Sequence, residues 1–166
     1  MKIQRIALSF AVAISMISLV FPTVFACGKV TGGGQIEIPG GVASFGFNAM
    51  YFTQKDVLQG ELNYVDHVTG DKVHAHELID LEVWEPNEGN KPEPQRYAHF
   101  EGECIYNHES GYYFECYVED DKEPGRADAF ALEVWELDSL GNPVRLVFSV
   151  GDTLLNGNIQ IHKPPK

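Results

Sequence analysis

The sequence is poor in basic side chains. Lys and Arg number 12 against 24 Asp and Glu, which gives a formal net charge of −12. Such a chain repels a phosphate backbone and an anionic lipid surface, so the composition argues against nucleic-acid binding and against electrostatic attachment to a membrane. Cysteine is scarce as well, with three residues and no C-x-x-C pair, which argues against a redox motif.

Catalytic motifs are missing too. The sequence contains neither the G-x-S-x-G of serine hydrolases nor the H-E-x-x-H of zinc proteases. Its many carboxylates show no pair whose spacing singles it out as an acid and a base. We therefore expect no enzymatic activity.

Apolar material is plentiful enough for a core. The 166 residues are 44% hydrophobic and 11% aromatic, which is too apolar for a disordered chain. The length suits one domain rather than two.

The N-terminus has the pattern of an export signal. Lys2 and Arg5 precede the uncharged stretch Ile6–Phe21, which is shorter than the ~20 residues needed to span a bilayer. Val24–Ala26 then form a signal-peptidase site. We expect a signal peptide over residues 1–26, one secreted or cell-surface domain over residues 27–162, and a short tail over residues 163–166.

Cys27 follows the cleavage site directly. A cysteine in this position predicts a lipoprotein, and lipidation is the one route by which we expect contact with a membrane. The bulky Phe25 departs from the lipoprotein pattern. The alternative is a free or disulfide-linked cysteine at the mature N-terminus.

Cys104 and Cys116 flank a run of turn-forming residues. If a hairpin folds about Ser110, the two cysteines lie opposite each other with both side chains inward. In an exported protein this arrangement predicts a disulfide. The alternative is a pair of buried thiols.

The remainder of the chain alternates between apolar and polar residues with a period of two, which is typical of β-strands. Turn signals such as Pro39–Gly41 and Gly141–Pro143 separate the runs. We expect an all-β domain of about nine antiparallel strands, either a β-sandwich or a closed up-and-down barrel. The similar pairs Gln35–Ile36 and Gln160–Ile161 suggest that the first and last strands pair and close the sheet.

Five ordered motifs carry a resemblance to a known family. They are Gly28–Ile36, Gly40–Phe47, Gly60–His67, Val118–Gly125 and Leu155–His162. Together they resemble the post-COAP domain, a small extracellular β module of microbial proteins. The chain departs from that pattern in the insertion Pro86–Pro94 and at Asn156. The resemblance implies an exported β fold and carries no established activity.

Two groups of residues suit a metal ion. A tight turn at Gly70–Asp71 would bring His67 opposite His74 with His76 on the same face, which suits Zn²⁺ with an oxygen from Asp66 or Glu61. The alternative is that these histidines are polar residues on a wet face.

The acidic stretch around Asp120, Asp121 and Asp128 suits Ca²⁺, which prefers carboxylate oxygens. Its spacing is not that of an EF-hand. The alternative is a charged turn in which Asp120 or Asp128 accepts hydrogen bonds from backbone N–H groups.

Four aromatic residues are predicted on outer faces: Trp84, Trp135, Tyr113 and Tyr117. Exposed aromatic rings stack on sugar rings, which favours carbohydrate binding, although in a sandwich the two tryptophans would also suit a core. We expect a secreted or cell-surface module with a binding or structural role, whose partner is an extracellular polysaccharide or a cell-envelope protein. The alternatives are a carrier of a small hydrophobic ligand in a barrel cavity and, least favoured, a metal-dependent extracellular enzyme.

Overall fold

The computed structural model describes residues 28–52, 57–84, 96–121 and 128–162. Each strand pairs antiparallel with the next along the chain, and the last strand pairs with the first, so the sheet closes into a barrel. The predicted barrel is confirmed, and the sandwich is not formed. The strands are β1 (Lys29–Ile38), β2 (Gly41–Phe52), β3 (Val57–Asp66), β4 (Lys72–Trp84), β5 (Arg96–Tyr106), β6 (Glu109–Asp120), β7 (Ala129–Leu137) and β8 (Pro143–His162).

The prediction of about nine strands was wrong by one. The number is smaller because the apolar residues before and after Gly151–Thr153 belong to one long strand, β8, which continues through that segment. This strand changes partner along its length: Pro143–Thr153 pairs with β7, and Leu154–His162 pairs with β1. Gly151–Thr153 have the composition of a turn in the sequence. In the structure they lie where β8 changes its partner from β7 to β1, and the backbone stays extended there.

The barrel interior is the hydrophobic core. On each strand alternate side chains point inward, as the period of two predicts. Aromatic rings fill much of the space: Phe45 and Phe130 stack with centroids 4.0 Å apart, and Phe47 lies 5.1 Å from Phe100. An eight-stranded barrel has room for a packed core or for one small ligand, and here side chains occupy it. The described part of the chain contains no helix with the length and apolar character to cross a membrane.

Closure of the barrel depends on a close approach between β1 and β8. Gly34 lies opposite Gly157, next to a shift in register at Gln35 and Ile36. A Cβ atom on Gly34 would collide with the carbonyl oxygen of Asn156. Gly157 has a φ of 109°, a conformation that L side chains rarely adopt. The close approach of the two strands at the seam therefore requires glycine at both positions.

A network at one end of the barrel ties two turns together. The Asp71 carboxylate accepts hydrogen bonds from the hydroxyl of Tyr106 at 3.2 Å, the amide of Asn107 at 2.6 Å and the hydroxyl of Thr69 at 2.7 Å. These bonds, the one from Asn107 first, hold the pKa of Asp71 below its ordinary value. Asn107 and His108 have φ values of 49° and 72°, so they form the two-residue turn between β5 and β6.

The seam glycine provides a direct test of closure. We expect Gly34→Ala to lower the free energy of unfolding by about 2 kcal/mol or more, because the new methyl group overlaps backbone that has no room to move. Gly46→Ala is the matched control, since Gly46 lies on β2 and a Cβ there meets no atom within 4 Å. Urea denaturation of both variants measures the difference. Equal effects of the two substitutions would contradict the account of the seam.

Candidate functional site

The predicted disulfide is not formed, and the expected register was wrong. The turn lies at Asn107–His108 rather than at Ser110, so Cys104 pairs with Tyr112, and Cys116 pairs with Phe100. The two cysteines are therefore four residues apart along the ladder, about 13 Å at the usual rise per residue. A disulfide needs Cα atoms within about 7 Å.

Both cysteines are instead buried free thiols. Burial raises the pKa of Cys104 to about 12 and raises that of Cys116 well above its ordinary value. Neither sulfur is a reactive thiolate near neutral pH. This matches the alternative of two core thiols.

The three histidines do not gather into a metal site. The β3–β4 connection is longer than a two-residue turn, so the residue opposite His74 is Asn63, which bonds its Nδ1 at 2.7 Å. His67 bonds the hydroxyl of Ser44 on β2 at 2.8 Å. His76 stacks on His74 with ring centroids 5.7 Å apart. Among the described residues, no group of three His, Cys, Asp or Glu side chains is placed to hold a metal ion.

The acidic residues proposed for Ca²⁺ serve the backbone. Asp128, 1% exposed, accepts hydrogen bonds from the N–H of Ile159 at 2.7 Å and of Asp121 at 3.2 Å. Asp120 accepts one from the N–H of Ile161 at 2.9 Å. The end of β8 extends past β7, and these carboxylates accept the backbone hydrogen bonds that a neighbouring strand would otherwise accept. This agrees with the alternative for this stretch, a charged turn whose carboxylates accept backbone hydrogen bonds. The loop between Asp121 and Asp128 lies outside the described residues, as does Cys27.

Burial raises the pKa of Asp128 above its ordinary value, and the two backbone donors oppose this only in part. The charged form of this side chain is therefore disfavoured in the folded protein. Its role at the seam is that of a hydrogen-bond acceptor, which needs no metal.

The predicted aromatic residues all lie on the outer surface. Trp135 on β7 lies opposite Tyr113 on β6, and Tyr117 lies four residues further along β6. Trp84 is farther away, at the end of β4, where it stacks on Tyr97 with ring centroids 5.8 Å apart. The first three residues thus share one surface, and Trp84 belongs to its margin.

A row of carboxylates crosses the barrel between these aromatic residues. Four acidic side chains on four neighbouring strands lie in register with one another, which spans about 14 Å. We call them the carboxylate row: Asp80, Glu101, Glu115 and Glu133. Like charges directly opposite each other destabilise a sheet, so the row opposes folding and suits a ligand that donates to it.

Two tyrosines, one on each side of the carboxylate row, form hydrogen bonds with its side chains. The hydroxyl of Tyr117 donates to Glu115 at 3.0 Å, and that of Tyr113 bonds Glu101. Burial, followed by these acceptors, raises the pKa of Tyr117 to about 12 and that of Tyr113 further. His99 stacks on Tyr117 with centroids 4.5 Å apart, and its Nε2 lies 3.6 Å from Glu101.

The outer surface of β4–β7 therefore combines flat rings with fixed hydrogen-bond acceptors. Tyr117 is 42% exposed, so its ring remains available to a ligand. The carboxylate row and its flanking aromatic residues include no Lys or Arg. We call this surface the aromatic–acidic face: the carboxylate row together with Tyr113, Trp135, His99 and Tyr117.

Sequence reasoning missed the carboxylate row and His99. The string Leu-Glu-Val-Trp-Glu occurs at Leu81–Glu85 and again at Leu132–Glu136. In both copies the Leu and Val point inward, so the Glu between them and the Trp that follows point outward. This alternation was a usable signal for outward carboxylates. The alignment of these carboxylates across strands depends on the strand register, and therefore on the positions of the turns, which the sequence alone does not determine.

The comparisons with known proteins add nothing to this geometry. No family model, curated protein or solved structure matches the chain.

Repulsion within the carboxylate row is measurable. We expect Glu133→Gln to raise the free energy of unfolding by about 0.5 kcal/mol at low ionic strength, because one like-charge contact is removed. The gain should disappear in 1 M NaCl, where the screening length is about 3 Å.

Glu109→Gln is the control for the loss of one negative charge, since Glu109 is exposed and faces Tyr106 across the β5–β6 turn. Denaturant titrations of both variants at low and high salt test the prediction. If the gain in the free energy of unfolding is the same for both variants, or persists at high salt, like-charge repulsion does not destabilise the carboxylate row.

Proposed function

We propose that this chain is an exported, non-catalytic binding module that recognises an extended glycan through the aromatic–acidic face. The observation that carries the proposal is the alignment of the carboxylate row between aromatic residues of the outer surface, of which Tyr117 is exposed and Trp135 is half-buried. Export is supported by the N-terminal sequence pattern, and the resemblance to the post-COAP domain agrees with a small extracellular module.

The chemistry of the face suits a neutral polysaccharide. Sugar rings present C–H groups on their faces, which pack on the electron-rich faces of Tyr117 and Trp135. Their hydroxyl groups donate to carboxylate oxygens, and hydrogen bonds to a charged acceptor are stronger than neutral ones. A ligand that donates to several carboxylates along the row offsets part of their mutual repulsion.

The extent of the row favours a polymer over a single sugar. The row crosses four strands, about 14 Å, with aromatic residues on both sides. The surface lies on the outside of a barrel rather than in a cleft, which leaves both ends open for a chain to continue. A cell-wall or matrix polysaccharide fits these conditions.

The carrier alternative is weaker. Tyr64 is 1% exposed and its hydroxyl has no partner among the described residues, which is the one interior feature that favours a ligand. Against it, the ring of Tyr64 belongs to the stacked aromatic core, with Phe130 at 6.4 Å and Phe148 at 5.4 Å. A ligand inside the barrel would have to displace this packing.

Binding to a panel of neutral polysaccharides tests the proposal. Affinity electrophoresis in gels that contain soluble β-glucan, xylan or mannan, with pull-down on cellulose and chitin, should identify at least one ligand. We expect Tyr117→Ala and Trp135→Ala to weaken that binding about tenfold or more, since truncation of an aromatic anchor costs roughly 2 kcal/mol.

Leu140→Ala is the matched control, because Leu140 is 84% exposed on the β7–β8 turn, away from the face. Its binding should equal that of the unmodified protein, and binding should change little in 1 M NaCl. The absence of binding to every polysaccharide, or equal loss in all three variants, would overturn the proposal. Binding abolished by salt would point instead to a cationic partner.

A further inference from the structure

His99 covers one face of the Tyr117 ring. The two residues lie opposite each other on β5 and β6, and their rings stack with centroids 4.5 Å apart and planes 25° from parallel. That separation is close to the spacing of about 4.8 Å between neighbouring strands, so each ring stands upright above its own strand. The face of Tyr117 that turns away from His99 therefore points across β7.

The neighbours of Tyr117 on that side are small. Ala131 lies opposite Tyr117 on β7, and Gly151 lies opposite Ala131 on β8. Neither residue reaches the height of the tyrosine ring, which agrees with the 42% exposure of Tyr117. A Cβ atom on Gly151 would lie 2.9 Å from the Cβ of Ala131, so even a methyl group there would crowd this space. We call the space above Ala131 and Gly151, beside the open face of Tyr117, the Ala131 notch.

The other tyrosine of the aromatic–acidic face has no such room. Tyr113 lies four residues from Tyr117 on β6, and its neighbour on β7 is Trp135. The indole ring takes the place above β7 that stays open beside Tyr117. On β8, Trp135 is followed by Leu146 rather than by a glycine. The notch is therefore a property of Tyr117 and not of the whole face.

Two contacts fix the orientation of the Tyr117 ring before a ligand arrives. Its hydroxyl donates to Glu115 at 3.0 Å, which holds the far end of the side chain. His99 supports the covered face of the ring. The Nε2 atom of His99 is buried and has no hydrogen-bond partner among the described residues, so His99 contributes its flat ring rather than a hydrogen bond from this atom. A preorganised side chain loses less entropy when a ligand binds.

We propose that one sugar residue of the glycan stands upright in the Ala131 notch, with one face of its ring against the open face of Tyr117. This inference rests on the proposed function and assigns a place to one ring of the ligand. A sugar ring in van der Waals contact lies about 4 Å from the tyrosine ring. That distance is close to one strand spacing and puts the sugar above Ala131. Gly151 leaves the second face of the sugar clear of β8.

The polar groups beside the notch suit the rim of an upright sugar. Glu133 is the next outward residue after Ala131 on β7, and Ser149 lies opposite Glu133 on β8. The hydroxyl groups of a sugar project from the rim of its ring, so those at one end reach the carboxylate row and donate to it. Ala131 thus determines whether a sugar fits, and His99 is a positioning residue because it acts through Tyr117.

Enlargement of Ala131 tests the notch directly. Ala131→Leu should weaken binding about tenfold or more in gels that contain soluble β-glucan, xylan or mannan, because the added carbon atoms take the place of the sugar while Tyr117 stays in position. Gln59→Leu is the matched control, since Gln59 is exposed on β3, on the opposite side of the barrel. Its binding should equal that of the unmodified protein. Urea denaturation checks that both variants are folded.

Two substitutions at His99 separate a positioning role from a structural one. His99→Phe keeps a flat ring behind Tyr117, whereas His99→Ala lets the tyrosine lean toward β5. The phenylalanine variant should therefore bind the polysaccharide about threefold or more tightly than the alanine variant, which is the scale of one aromatic pair. The same gels measure this ratio.

The possible outcomes distinguish the notch from the proposed function. If Tyr117→Ala loses binding but Ala131→Leu binds as tightly as Gln59→Leu, the aromatic–acidic face remains the binding surface and the inference is overturned. Equal binding by the two His99 variants would overturn the positioning role of His99. If the unmodified protein binds none of the polysaccharides, the proposed function and this inference both fail.

Discussion

Pairing of the first strand with the last is the constraint on which the rest of the structure depends. It requires β1 and β8 to approach at Gly34 and Gly157, where a side chain would meet backbone. Among the described residues, no strand pairs with the other side of the last residues of β8. Asp120 and Asp128 supply the missing acceptors there. The seam therefore combines a steric requirement with a hydrogen-bonding one, and both are met by residues far apart in the sequence.

Closure determines where function can lie. Once the sheet is closed, half of the side chains point into an interior that stacked rings such as Phe45 and Phe130 occupy. The remaining half point outward, and their alignment across strands follows from the register. Residues with no relation in the sequence, such as Glu101 and Glu133, thus come into one row. The energetic disadvantage of that row is acceptable because the core and the closed ladder stabilise the barrel.

Much of the fold could be predicted from the sequence because the period of two is a local property. Strand positions and the outward direction of Trp135 follow from alternation, and the similar pairs Gln35–Ile36 and Gln160–Ile161 indicated that the first and last strands pair. The register does not, because it depends on which residues form each turn. The turn at Asn107–His108 rather than at Ser110 moved Cys104 away from Cys116. The carboxylate row could not be predicted for the same reason. In the sequence its members look like any other surface acids, and only the strand register brings them into line.

The central claim is that ligands bind outside the barrel and that its interior is core. The chain has two tryptophans, Trp135 within the aromatic–acidic face and Trp84 at its margin, so two indole N–H signals report on that side of the barrel in a ¹⁵N–¹H NMR spectrum. Titration with a polysaccharide that the protein binds should shift the signal of Trp135 most and that of Trp84 less. Methyl signals of interior residues such as Leu62 and Leu132 should stay in place. Interior methyl signals that shift while both indole signals remain unchanged would place the ligand inside the barrel and contradict the account.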